Sequence, residues 1–127
     1  MKAIQFILYV QNQEVSTLFY QELLQLKPTL NVPGMTEFTL DNGVKLGLMP
    51  ENGIANILIP HTSHPSKGSG IPRCELYLKV EKADDYVLRG LKSGAQLISD
   101  LQERDWGDRV GYLLDTDGHV IALAESI

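Results

Sequence analysis

The second half of the chain repeats the first. The strand-like Gln5-Phe6-Ile7-Leu8-Tyr9-Val10, a helical run and the hairpin Phe38 to Met49 around Asp41-Asn42-Gly43 come first. They return as Glu75-Leu76-Tyr77-Leu78-Lys79-Val80, a helical run and Tyr112 to Ala124 around Asp115-Thr116-Asp117-Gly118. The first strand recurs from position 5 to 75, and the hairpin glycine from 43 to 118. A half-domain that cannot bury its own apolar face needs its copy beside it, so this repeat outranks local propensity. Two copies are expected to enclose a shared surface, and function is sought there.

Each copy reads as β-α-β-β-β. Phe6, Leu8 and Val10 alternate with Gln5, Ile7 and Tyr9, the period of a strand whose two faces differ. Asn12 or Gln13 opens a helix running to about Leu26, with Val15, Leu18, Phe19, Glu22, Leu23 and Leu26 at three-and-four spacing, and Pro28 ends it. Short strands follow to Met49, and Asn42-Gly43 signals a type I′ hairpin because both residues tolerate positive φ. In the second copy the spacing predicts a strand to Val80, a helix over Ala83 to Lys92, a strand near Gln96 to Gln102, and the final hairpin. Pro50, Pro60, Pro65 and Pro72, with Gly53, Gly68 and Gly70, make the stretch between an exposed connector. The expected organisation is one domain over 1–127: module 1 over about 1–57, a connector over about 50–72, and module 2 over about 73–127.

The alternation assigns faces. Phe6, Leu8, Leu46, Leu48, Leu76, Leu78, Val80, Ile121 and Leu123 are expected under the helices. Gln5, Ile7, Tyr9, Lys45, Gly47, Met49, Glu75, Tyr77, Lys79, Val120, Ala122 and Ala124 take the other face, a mixed lining suited to a ligand.

Composition narrows the partners. A net charge of −5 with dispersed Lys and Arg argues against nucleic acid and favours a cationic small molecule. The apolar opening Ile4 to Val10 is too short to span a bilayer and has no signal-peptide cleavage pattern, so no membrane is expected. The single Cys74 cannot form an internal disulfide, which fits a reducing, cytoplasmic setting.

With the paired modules, Leu18-Phe19-Tyr20 in the first helix, and Trp106-Gly107 followed by Asp115-Thr116-Asp117-Gly118, the chain resembles the vicinal oxygen chelate superfamily. That group includes glyoxalase I, extradiol dioxygenases and bleomycin-resistance proteins, and the last pattern looks most like the bleomycin-resistance members. The resemblance implies an α+β fold of two β-α-β-β-β modules forming a cup-shaped mixed sheet, often in a swapped dimer. It also implies four metal-ligand positions, which fall on Gln5, Gly47, Glu75 and Ala122. Glycine and alanine supply no donor, leaving Gln5 and Glu75 as a weak pair where about three ligands are usual. Gly47 and Ala122 are instead expected to make room for an organic ligand.

The expectation is therefore a homodimer with a metal-free cup that sequesters a small organic molecule, as in antibiotic resistance, with no cofactor and no catalytic residue. Tyr9, Met49, Tyr77, Trp106 and Tyr112 would supply contact area, and Gln5, Glu75 and Lys79 would orient polar groups. Two alternatives stand beside it. One is a lyase or dioxygenase that rebuilds its site around a divalent metal; the other is a protein-interaction module that buries Trp106. Glu75 itself could meet a cation or ligand amine, act as a base, or pair with Lys79 or Lys45. His61 and His64 sit between prolines that disfavour a metal-binding helix, His119 reads as turn packing, and Cys74 has no histidine beside it in sequence.

Overall fold

The computed structural model describes all residues, 1–127, and divides them into two compact units: residues 1–21 with 25–69, and residues 22–24 with 70–127. In the first unit the chain runs β1 (Gln5–Val10), α1 (Gln13–Leu24, whose last three residues group with the second unit), β2 (Leu30–Val32), β3 (Met35–Thr39), β4 (Lys45–Pro50) and α2 (Glu51–Leu58). In the second it runs β5 (Glu75–Lys79), α3 (Ala83–Lys92), β6 (Gln96–Glu103), β7 (Asp108–Leu114) and β8 (Val120–Ser126). The sheets have matching orders, β1-β4-β3-β2 and β5-β8-β7-β6, and in each the first and last strands of the unit pair in parallel. This is the repeated β-α-β-β-β unit of an α+β fold.

In unit 1, Asn12 caps α1 by accepting the Val15 N–H on Oδ1 at 3.0 Å, which satisfies one of the helix's orphan donors. Gln25 closes the helix in the left-handed region at φ 54°, so it ends at Leu24, before Pro28 can act. The buried residues of α1 are Ser16, Thr17, Phe19, Tyr20, Leu23 and Leu24, whereas Val15 and Leu18 are exposed. Phe19 and Tyr20 meet edge to face, 5.0 Å between centroids. Asn42 and Gly43 take the expected positive φ, 63° and 77°, but the connection differs from a two-residue type I′ turn: Asp41–Gly43 form a single 3₁₀ turn, and the Leu40 N–H donating to the Val44 carbonyl leaves a three-residue loop between β3 and β4.

Register confirms the face assignment for most positions. Phe6 pairs with Leu46 and Leu8 with Leu48, and Phe38, Leu46 and Leu48 are fully buried. Phe6 is the exception, 61% exposed, because β1 is an outer strand and Phe6 lies near its open end. The connector also departs from expectation. Residues 51–58 form α2, which buries Ile54, and Pro65–Gly68 make one 3₁₀ turn. Pro50 stands just ahead of the first helical residue, where proline does not interrupt the ladder.

In unit 2, α3 occupies the predicted span. No side chain of its own caps its start; instead Glu125 Oε2 of β8 accepts the Ala83 N–H at 3.2 Å. Arg109 of β7 bridges Glu125 and Asp84, at 2.8 and 3.2 Å. Its guanidinium is held above its ordinary pKa by Asp84 first and Glu125 second. Arg89 of α3 donates from Nε and Nη2 to the Leu23 carbonyl, each at 3.2 Å, serving an orphan acceptor at the end of α1. Leu113, Ile121 and Leu123 are fully buried on the face toward α3.

Candidate functional site

The sheet face turned away from α1 in unit 1 and from α3 in unit 2, the helix-free face of unit 2, carries the candidate residues. In unit 1, register places Gln5 beside Lys45, Ile7 beside Gly47 and Tyr9 beside Met49, with Glu37 of β3 opposite Gly47. Glu37 organises this face: its Oε2 accepts from Gln5 Nε2 at 2.8 Å, and its Oε1 stands 3.5 Å from Lys45 Nζ. Gln5 is thereby an amide donor to a carboxylate. Space left by the missing side chain at Gly47 is already taken, since a Cβ there would lie 2.8 Å from Gln5 Nε2 and 3.1 Å from Ile7 Cγ1. Met49 lies against the start of α2 near Gly53.

In unit 2, Glu75, Tyr77 and Lys79 alternate along β5 onto one face, opposite Val120, Ala122 and Ala124. The centre of this face is Asp108, at the start of β7 and only 8% exposed. Tyr77 Oη donates to Asp108 Oδ2 at 2.6 Å and accepts from Trp106 Nε1 at 2.9 Å. Lys79 Nζ pairs with Asp108 Oδ1 at 2.9 Å. The Tyr77 and Lys79 bonds hold the Asp108 carboxyl below its ordinary pKa, Tyr77 contributing most. Burial, then the Asp108 bond, pushes the Tyr77 phenol up. Both rings keep open surface: Trp106 is 58% and Tyr77 39% exposed.

Tyr112 packs against a cluster of fully buried Val110, Ala122 and Ala124, with the Arg104 guanidinium 5.3 Å from its ring centroid. Arg104 also donates to the Val110 and Asp100 carbonyls and to Ser99 Oγ, tying β7 to the irregular stretch of β6. Ala122 therefore opens no room either. The expected expansion at the glycine and alanine positions is replaced by local packing.

The structure thus gathers Tyr77, Lys79 and Trp106 around a shared carboxylate and sets Tyr112 in an apolar cluster next to Arg104. Glu75 makes neither of its expected salt bridges, because Lys79 is taken by Asp108 and Lys45 by Glu37. His64 works locally: Nδ1 accepts the Ser66 N–H at 3.1 Å, and Nε2 meets Asn52 Oδ1 at 2.8 Å, fastening the 3₁₀ turn to α2. Asp115 Oδ1 accepts the Asp117 and His119 N–H groups, so that hairpin is an Asx-type turn. Cys74 is a free, exposed thiol.

Glu37 and Asp108 were missed by sequence reasoning. Glu37 lies in phase with Gly47, yet its strand is bracketed by turn signals that left the register open. Asp108 directly follows Trp106-Gly107, and only its pairing partner on β5 marks it.

The donor set does not suit a metal. Of the four positions implied by resemblance, Gly47 and Ala122 offer no atom and the Gln5 amide is turned to Glu37; no group of three or more His, Cys, Asp or Glu side chains is placed to hold an ion.

Residues 3–127 match the model of the glyoxalase-like domain. The chain belongs to the glyoxalase-like family. Solved structures agree with this glyoxalase-like fold. A glyoxalase-related enzyme from Fulvimarina pelagi superposes with a TM-score of 0.83 at 20% identity, covering 99% of this chain and 88% of that one. A glyoxalase/bleomycin resistance protein/dioxygenase family enzyme from Burkholderia phytofirmans PsJN gives 0.79 at 14% identity, covering 97% of each. A protein from Agrobacterium tumefaciens, solved in solution, gives 0.76 at 25% identity, covering 100% and 98%. The family match is consistent with the vicinal oxygen chelate superfamily, and the two matching sheets with its paired modules. No curated protein matches the chain. No helix is long and apolar enough to cross a membrane.

Proposed function

We propose that this glyoxalase-like protein binds a small, planar organic molecule on the helix-free face of unit 2, without transforming it. The observation that carries the reading is the Trp106–Tyr77–Asp108–Lys79 chain of contacts. It locks two exposed aromatic rings in place, so that little side-chain entropy remains to be lost when a ring stacks on them. Asp108 is spent on Tyr77 and Lys79. The groups left for a ligand are the remaining ammonium hydrogens of Lys79 and the Glu75 carboxylate, which flank Tyr77 along one strand. A ligand with an aromatic body and a basic group fits Glu75 and the net charge of −5, and a carbonyl or acid on the same molecule fits Lys79.

Sequestration of a cationic drug, by a homodimer in the cytoplasm, is the form of this reading that the family's bleomycin-resistance members suggest. Trp106 is the chain's only tryptophan, so its emission reports this face alone. Titration with cationic glycopeptide antibiotics is expected to change that emission saturably, with a Trp106→Phe variant losing the heat of binding by calorimetry. Unchanged emission and no heat across such a panel would remove the drug-binding form. Light scattering of the eluted protein tests the dimer.

A further inference from the structure

The structure holds a hollow of about 450 Å³ apart from the candidate faces described above. It opens between α1 and β2 in unit 1, and its size falls in the usual range for small-molecule sites. Its lining side chains are fixed by bonds to the adjoining backbone and to Thr36. Gln13 Nε2 donates to the Val32 carbonyl at 2.8 Å and to Thr36 Oγ1 at 2.9 Å, and Gln13 Oε1 accepts the Gly34 N–H at 3.0 Å. Thr36 Oγ1 in turn meets Thr17 Oγ1 at 2.9 Å and donates to Asn31 Oδ1 at 3.0 Å. Thr36 is fully buried, so this network is built and rigid.

The walls have a different character. Leu18 on α1 and Val32 on β2 are exposed hydrophobic residues, and Pro33 continues the apolar side. Glu14, Leu18 and Gln21 share one face of α1 at four-and-three spacing, which sets a carboxylate, a branched alkyl group and an amide in a row. Neither Glu14 nor Gln21 has a side-chain partner. No Lys, Arg or His lines the hollow, so its only formal charge is the Glu14 carboxylate. Glu14 lies in the first turn, where the helix end contributes about half a positive charge; a full negative charge outweighs it.

We infer that this cleft is a second ligand site, selective for a small aliphatic amine in its charged form. The ammonium meets Glu14, the alkyl body lies between Leu18 and Val32, and anions are excluded by the same carboxylate. The site does not depend on Trp106 or Asp108.

The test is a nitrogen–proton correlation NMR titration of the full chain with n-butylammonium, n-butanol and butyrate as probes. Butylammonium is expected to shift amides within residues 13–21 and 31–34 saturably, in the millimolar range open to so small a ligand, about 10⁻³ M. Butanol is expected to bind more weakly and butyrate not at all. Glu14→Gln, on the exposed side of the helix, should keep the spectrum of a folded protein and weaken butylammonium about fivefold. Lys79→Met should leave these shifts unchanged while altering ligand binding at Trp106, so the two sites fail separately. Absence of shifts in the cleft, equal binding of butyrate or butanol, or an unaltered midpoint in Glu14→Gln would each overturn the assignment.

Discussion

Tyr77 Oη lies 2.6 Å from Asp108 Oδ2, joining the middle of β5 to the start of β7 although 31 residues separate them in the chain. Strand order explains the meeting. β8 lies between β5 and β7, and both outer residues project from the same side of the sheet beside it. The hydroxyl donates to the carboxylate, and the indole N–H of Trp106 donates to the hydroxyl.

The first prediction concerns the phenol. Burial first and the Asp108 bond second raise the Tyr77 pKa above its ordinary value of 10.0. A difference ultraviolet titration of the wild type against Tyr77→Phe is expected to show the missing phenolate step above that value. In Asp108→Asn the step should move down toward it, because the neighbouring negative charge is gone. A step at or below 10.0 in the wild type would contradict the bond.

The second concerns stability against pH. Asp108 is held below its ordinary value of 3.8 by the Tyr77 hydroxyl and the Lys79 ammonium, so the folded state favours the ionised form. The unfolded chain takes up its proton first as pH falls. The stabilisation is therefore complete above 3.8 and is lost as pH drops through the lower folded value. The melting-temperature gap between wild type and Asp108→Asn should be wide at about pH 6 and should narrow below about pH 3.

A third prediction contrasts two glycines. At Gly90 in α3, an added Cβ would stand 2.7 Å from Leu113 Cδ1 and 3.4 Å from Leu23 Cδ1, both in side chains that are fully buried. Alanine gains up to about 1 kcal/mol of helix propensity, but overpacking costs about 1–3 kcal/mol, so Gly90→Ala is expected to destabilise in urea unfolding. Gly47→Ala meets the amide end of the long Gln5 side chain most closely, which can swing away from Glu37, and then Ile7 Cγ1 at 3.1 Å and Met35 Sδ at 3.3 Å, which need give by only a few tenths of an ångström. Its cost should stay within about 1 kcal/mol, with the Gln5 side-chain amide signals shifting as its bond to Glu37 breaks.

The fourth is a cap. Asn12→Ala removes the acceptor for the Val15 N–H at the start of α1 and should cost about 1 kcal/mol. For a chain of this size that is a fall of about 4 °C in Tm. A tolerated Asn12→Asp variant would show that the acceptor oxygen, not the amide, carries the effect.

Much of the fold was legible in the chain because strand and helix periods are local. The period-two alternation of Gln5 to Val10 and the run Ala83 to Lys92 marked β1 and α3 at their observed bounds. α2 was not legible: the prolines on either side of it, Pro50 and Pro60, and Gly53 within it read as turn residues, and only the burial of Ile54 against the rest of unit 1 favours a helix there. For the site, the phase that puts Tyr77 and Lys79 on one face was readable, and the bonds that hold them were not.

The repeat and its alternating faces were determined by sequence alone, since both follow from order and spacing within a few residues. Tertiary structure decided which carboxylate each basic group would meet. Lys79 chose Asp108 over Glu75, and Lys45 chose Glu37, because strand pairing brings distant residues within hydrogen-bonding distance and leaves near ones apart. It also decided that the positions of Gly47 and Ala122 would be packed, because side chains from other positions filled the space that small residues left.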